Sequence, residues 1–532
     1  MPKPKPKPNR PPTPGDNRNR WVVVALVALT VFLCATHFDP KLHTGGDNAL
    51  YVLLSESILT AGDGYSTTIE PGPAVPHTTV PPGYPLLLAA IGALFGPNIV
   101  LLKLLSLALT AGSVWIFCLF VRDRALQRGE PYPRLLLPLA FAASPLVIDY
   151  SHWILSEAPF VFFVMLSLFF LQRESGGRED RNFWLALLAA VASFYIRSVG
   201  ALLLVAASVG YLVRRRWRKF VVHGLAGGSL TIPWLVRNRL LEGTASPYLE
   251  QFSLVSIYDP EAGVLDLMGR VERVLDNAWF YATRELPRAL VGSDSTWATH
   301  PLVDALAGVV CVFALVGLAR VLRKRPGPLE FFFLLTFAAI TMFQSVANDV
   351  RYLVPLLPLI LAYATDGAAW TAKAARRRIP RLRILPAALA GTLVGVALLS
   401  ASARIPRNLD MLGRYAAGDR HADYHPAWRN FFEAAEYVRD ATPEDAVVTV
   451  RKPRLFRLLT DRRTRIFPFT EDRDSVLSVV LSTDYVVIGH ISGATTARYL
   501  VPVVDENRDR FRCEFRTRQP HTYVCAVQDP PR

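Results

Sequence analysis

Apolar residues gather along this chain in runs of about 15 to 22, parted by short joints rich in arginine, which is the length a helix needs to cross a ~30 Å hydrocarbon layer. A helix satisfies its own backbone hydrogen bonds, as lipid requires. The runs cover approximately 21–38, 98–121, 135–150, 157–171, 183–197, 198–213, 220–236, 301–319, 328–346, 353–370 and 386–402. The run Pro81–Gly96, PPGYPLLLAAIGALFG, is short and opens on a proline pair, so it is read as a re-entrant or membrane-surface helix. The pattern predicts about eleven transmembrane helices. After 402 the chain turns densely charged, with a helical pattern near Trp428–Arg439 and strand-like runs at Ala446–Val450, Tyr485–Ile488 and Tyr523–Val527.

The expected class is therefore a polytopic α-helical membrane protein with a small α/β domain at its C-terminal end. Its parts are a basic, Pro-rich tail over 1–20, a membrane domain over 21–402 and a soluble domain over 403–532. The tail, MPKPKPKPNRPPTPGDNRNR, has nothing apolar to bury and is expected to be disordered and cytoplasmic.

Composition agrees with this class. Of the 532 residues 51% are hydrophobic and 19% charged, too apolar for a soluble enzyme of this size. The net charge of +15 would suit a nucleic-acid binder, but the basic residues lie in the joints. They are Arg122, Arg124, Arg128 and Arg134; Arg173, Arg178 and Arg181; Arg214–Lys219; Arg320–Arg325; and Lys373–Arg383. That is the positive-inside pattern, and no nucleic acid is expected. With these joints inside, an odd number of spans puts the C-terminal domain outside the cytoplasm, and the protein in the inner (plasma) membrane. Of five cysteines, Cys34, Cys118 and Cys311 fall in apolar runs; Cys513 and Cys525 flank a turn near Arg518–Pro520 and could be bridged or free.

Polar residues stand out in the few outer loops. In Asp39–Val80, Gly45 and Gly46 precede Asp47, and helical spacing from Asn48 to Ala61 puts Asp47 at an N-cap. Asp149, His152 and Glu157 sit at a second outer turn, where ionisable groups mark a cavity or snorkel to the interface; Ser156 and Glu157 also read as a helix start. Arg197, Arg237 and Arg351 break the inside bias by falling at outer ends of spans. Each could hold a phosphate in a bidentate grip or pair with Asp349, Asp149 or Glu157. A sugar leaving from a lipid phosphate needs that charge neutralised and an acceptor hydroxyl deprotonated. Asp47 is the candidate base.

GGDNALYVLLSESILTAGDGY, PPGYPLLLA, WILSEAPF, PWLVRN and DVRYLVPLLPL, in this order and spacing, resemble the GT-C superfamily of membrane glycosyltransferases. The likeness spans roughly Trp21–Ser402 and is nearest in style to the protein O-mannosyltransferases (glycosyltransferase family 39 type) and the aminoarabinose transferases that modify lipid A. It implies a polyprenyl-phosphate sugar as donor and a glycan, lipid or protein acceptor. It makes Asp47 catalytic, places Glu157 near the metal or acceptor site, and gives the carrier phosphate to Arg197, Arg237 and Arg351, with Tyr352 beside the last. The mannosyltransferases carry an Asp-Glu pair where this chain has Asp47 and Asn48, which weakens a protein Ser or Thr as acceptor. A divalent metal stays open, because His43, His77 and His152 show no recognisable ligand spacing. The competing class is a transporter or flippase, but no internal repeat is found and the acids gather outside rather than at mid-membrane. The basic segment RKPRLFRLLTDRRTRIFPF in the soluble domain could meet an anionic glycan or lipid headgroups, and receives no catalytic residue.

Overall fold

The computed structural model describes residues 14–60, 64–128, 136–174, 179–242, 252–256, 262–292, 295–324, 326–375, 379–491 and 493–528. Residues 1–13 of the basic tail and joint residues Arg134, Arg178, Arg325 and Arg376–Arg378 lie outside them. The first helix starts at Pro14, ahead of its apolar run, so 14–20 are helical rather than disordered; a proline presets the backbone for a first helical turn.

Each apolar run from the sequence forms helix. Pro14–Thr36, Ile99–Arg128, Glu157–Arg173, Arg181–Ile196, Ala201–Val213, Trp217–Glu242, Pro301–Leu322, Pro328–Met342, Leu357–Ala375 and Leu385–Ala416 cover ten of the runs. The run over 135–150 is broken into Leu136–Ala142 and Pro145–Tyr150, with Pro145 starting the second piece. By length and composition three described stretches can cross a membrane unaided, namely 99–124, Pro301–Leu322 and 380–416, and several other apolar helices are shorter. Large apolar side chains such as Leu225, Val312, Leu315, Leu240 and Trp115 stay exposed on these helices, as they would facing lipid. The last of these apolar helices runs unbroken from Leu385 to Ala416, past residue 403, and carries Arg404 beyond its apolar stretch.

Two features fix how the helices approach. Gly317 and Gly367 face each other where Pro301–Leu322 crosses Leu357–Ala375; a Cβ on either would overlap the other helix's backbone at Tyr363 or Phe313. Small residues of this kind let membrane helices pack backbone to backbone. Gly83, in the PPGYP stretch, begins the helix Gly83–Phe95 against the end of Arg181–Ile196, where a Cβ would lie 2.6 Å from the Tyr195 carbonyl oxygen. Its neighbour Tyr84 is fully buried and bonds Ser106 at 3.1 Å.

Three of the arginine joints meet at one end of the bundle. Arg173 pairs with Asp123, Arg124 with Asp366 at 3.3 Å, and Glu174 with both Lys219 and Arg216. Glu157 begins the helix that Arg173 ends, so the two lie about 24 Å apart at a rise of 1.5 Å per residue.

The C-terminal region is the expected small α/β domain. Its five-stranded sheet has the order Arg463–Arg465, Val447–Thr449, Tyr485–Ile488, Tyr523–Val527, Phe511–Arg516, parallel in the first two pairings and antiparallel in the rest. The helix Pro426–Ala441 packs Phe431, Ala434 and Val438 into its core. Cys513 and Cys525 face each other across the last hairpin and are disulfide-bonded.

Candidate active site

Asp47 lies in the first turn of the helix Gly46–Leu59 and is not its cap; Gly45 takes that position with no side-chain cap. The carboxylate is thus free of the helix and turns to two guanidinium groups. Arg351 Nη1 lies 3.1 Å from Oδ2, and Arg454 Nη1 lies 3.7 Å from Oδ1. Arg351 comes from a 3-10 turn over Val350–Leu353, started by Asp349, whose side chain accepts from the Arg351 backbone N–H at 3.0 Å. That turn also aims Tyr352, whose hydroxyl accepts from Arg351 Nη2 at 3.3 Å.

Arg197 follows the helix Arg181–Ile196 in an extended conformation, which swings its side chain onto Glu157. Glu157 is almost wholly buried at the start of its own helix. Its Oε1 accepts from Arg197 and sits 4.0 Å from Arg351 Nε, while its Oε2 and Arg351 Nε have no hydrogen-bond partner among the described residues. Both guanidinium groups lie over the Tyr352 ring, Arg351 at 5.1 Å and Arg197 at 5.6 Å. Buried orphan polar atoms are costly, and Arg351, which carries one of them, lines a cavity together with Arg197, Tyr352 and the apolar Phe160, Phe252 and Phe343. One wall is apolar and the other cationic, a form that suits an anionic headgroup on a hydrocarbon tail.

Of the residues singled out from sequence, Asp47, Glu157, Arg197, Arg351 and Tyr352 come together. Arg237 stands apart. It donates to the His77 and Tyr65 carbonyls at 2.9 and 3.2 Å, packs on Trp234, and so holds the loop that follows the Asp47 helix. Asp149 pairs with Arg404 from the last helix. The sequence reading passed over Arg454, whose only signal is its place in the basic RKPRLFR stretch. It also passed over Asn277, which donates to the Thr341 and Phe343 carbonyls and accepts from Asn348 at 2.6 Å, fastening the turn ahead of Arg351.

Burial pushes the Asp47 carboxyl up, but Arg351, Arg454 and Arg197 outweigh it and hold its pKa below the ordinary carboxylate value. His43 packs on Trp153 and accepts from the Gly45 N–H; burial, with Lys103 and Arg351 nearby, lowers its pKa to about 4. Burial likewise lowers His77 to about 4. Among the described residues no three His, Cys, Asp or Glu side chains gather where they could share a metal ion. The acids at this site are interleaved with arginines.

No protein-family model and no curated protein sequence matches the chain. Solved structures do. An archaeal oligosaccharyltransferase AglB from Archaeoglobus fulgidus, in complex with an inhibitory peptide and a dolichol-phosphate, is similar over 97% of this chain and 75% of its own, at 13% identity and a TM-score of 0.59. ArnT from Cupriavidus metallidurans bound to undecaprenyl phosphate is similar over 96% of this chain and 100% of its own, at 14% identity and a TM-score of 0.56. The chain therefore shares the fold of these two solved proteins.

Proposed function

We propose that this protein is a glycosyltransferase that moves a sugar from a polyprenyl-phosphate carrier to an acceptor hydroxyl on the extracytoplasmic side of the membrane. The observation that carries the reading is the cavity in which Arg197, Arg351 and Tyr352 face apolar walls with the Asp47 carboxylate alongside. The carrier phosphate sits between Arg197 and Arg351, its polyprenyl chain along Phe160, Phe252 and Phe343, and the sugar extends toward Asp47. Charge-assisted bonds from two arginines stabilise the phosphate as the bond from sugar to phosphate oxygen breaks. The acceptor oxygen attacks the sugar carbon and gives its proton to Asp47. Glu157 keeps Arg197 and Arg351 poised, and Arg237 holds the loop beside the acceptor face.

Asp47 is a weak base while Arg351 holds its pKa down. Donor phosphate occupying Arg351 weakens that hold and raises the proton affinity of Asp47 when the base is needed. The arrangement of about eleven spans, with the N-terminus cytoplasmic and the disulfide-bonded domain outside, is supported by three arginine joints meeting at the end away from Glu157.

The test is release of radiolabelled sugar from polyprenyl-phosphate donors by purified protein in detergent, with wild type and Asp47→Asn side by side. Turnover by wild type alone upholds donor class and base together. Inertness of folded wild type toward a panel of such donors, with transport of the intact lipid into vesicles, favours the flippase reading instead.

A further inference from the structure

Asp47 belongs to the membrane domain, yet one of its two cationic neighbours comes from the soluble domain. Arg454 stands in the first turn of the helix Pro453–Thr460, which packs through Leu455 and Phe456 into the same apolar cluster as Ala49 of the Asp47 helix. The soluble domain is fastened there by backbone contacts. The Thr464 N–H bonds the Ile69 carbonyl at 2.7 Å, Arg463 bonds the Thr68 carbonyl at 2.6 Å, and Arg457 bonds the same carbonyl at 3.2 Å. Arg454 does not line the cavity in which Arg197 and Arg351 lie. It meets Asp47 on Oδ1, whereas Arg351 holds Oδ2.

A phosphate that takes Arg351 must displace Asp47 from it, because both anions need the same guanidinium face. The freed carboxylate then stands close to a second negative charge. We propose that Arg454 is a positioning residue that receives Asp47 at this moment: donor binding hands the carboxylate from the membrane-domain arginine to the soluble-domain arginine. The inference rests on the proposed function. It couples occupation of the donor cavity to the docked soluble domain, and places the base on the side from which an acceptor approaches.

The hand-off is read without turnover, from binding of undecaprenyl phosphate alone to protein in detergent. Asp47→Asn, which removes the competitor for Arg351, is expected to bind the carrier several-fold more tightly. Arg454→Ala in the wild-type background is expected to weaken binding about three- to fivefold, since the displaced Asp47 has no partner. In the Asp47→Asn background the same substitution is expected to change affinity less than about twofold. Arg454→Lys, which keeps the charge, restores most of the loss. Arg463→Ala serves as a docking control, loosening the domain without touching Asp47. An equal effect of Arg454→Ala in both backgrounds overturns the hand-off and leaves the proposed function standing. Failure of wild type to bind the carrier at all overturns both.

Discussion

Arg351→Ala should reduce affinity for undecaprenyl phosphate about 30-fold, and the size follows from the geometry. Truncating one partner of a desolvated, hydrogen-bonded charge pair costs about 2–5 kcal/mol. Arg351 keeps 24% of its side chain exposed, so the lower half of that range applies. Against this, the wild-type protein gives up an ion pair with a half-exposed Asp47 when the phosphate arrives, and such pairs contribute about 0.2–1 kcal/mol. The variant has no pair to surrender. The net loss is about 2 kcal/mol, or roughly 30-fold in Kd. Titration calorimetry in detergent at two salt concentrations would measure it, with Arg414→Ala as control, because Arg414 is committed to Asp410 and Asp423 far from the cavity. A loss of less than threefold, with the control unchanged, would refute the placement of the phosphate on Arg351.

Asp47→Asn should abolish sugar transfer while leaving expression and the melting temperature intact, since it removes a proton acceptor at constant volume; residual turnover above a hundredth of wild type would reject Asp47 as base. For pH, His43 and His77 are held at about 4 when folded, against about 6.5 in the unfolded chain. The unfolded state binds more protons between these values, so their contribution to stability is full above pH 6.5 and lost as pH falls toward 4. Melting scans from pH 8 to 4 should show that decline, and it should shrink in a His43→Gln, His77→Gln double variant; identical pH profiles would contradict it. Gly367→Leu should prevent accumulation of folded protein, because its side chain would enter the backbone of the facing helix at Phe313. Normal yield and a normal gel-filtration profile would show that these helices are not so closely packed.

The helices were legible because lipid imposes one rule on every segment: an apolar run long enough to span must close its own hydrogen bonds. Where the rule is relaxed, the reading drifted. The Leu267–Phe280 helix has one polar and one apolar face, with Leu267, Leu275 and Trp279 exposed, and no span-length run announces it. The last helix carries on for more than ten residues past its apolar stretch, through Arg404, because leaving the membrane does not oblige a helix to stop. At Asp47 the local pattern favoured a cap, and the structure instead starts the helix two residues earlier, at Gly46, with Gly45 as its cap. A capping carboxylate would bond its own backbone, whereas this one is held by arginines about 300 and 400 residues away, which no local pattern encodes.

The same distinction explains the site. Its charged members were visible singly, as ions where a membrane protein should avoid them. Arg237 carried the same signal as Arg197 and Arg351, yet it is taken up by backbone carbonyls of the loop after the Asp47 helix. An arginine at the outer end of a span is equally suited to a phosphate or to a carbonyl, and only the fold decides which it meets. Arg454 shows the converse. It lies in a segment whose charge reads as a solvated basic face, yet Arg457 and Arg463 bond the Thr68 carbonyl, Arg462 is buried on the Arg439 and Thr442 carbonyls, and Arg454 meets Asp47. A site that draws Arg454 from the C-terminal region has one member where hydropathy gives no reason to look. Its contact with Asp47 is the one whose loss would separate donor binding from the readiness of the base.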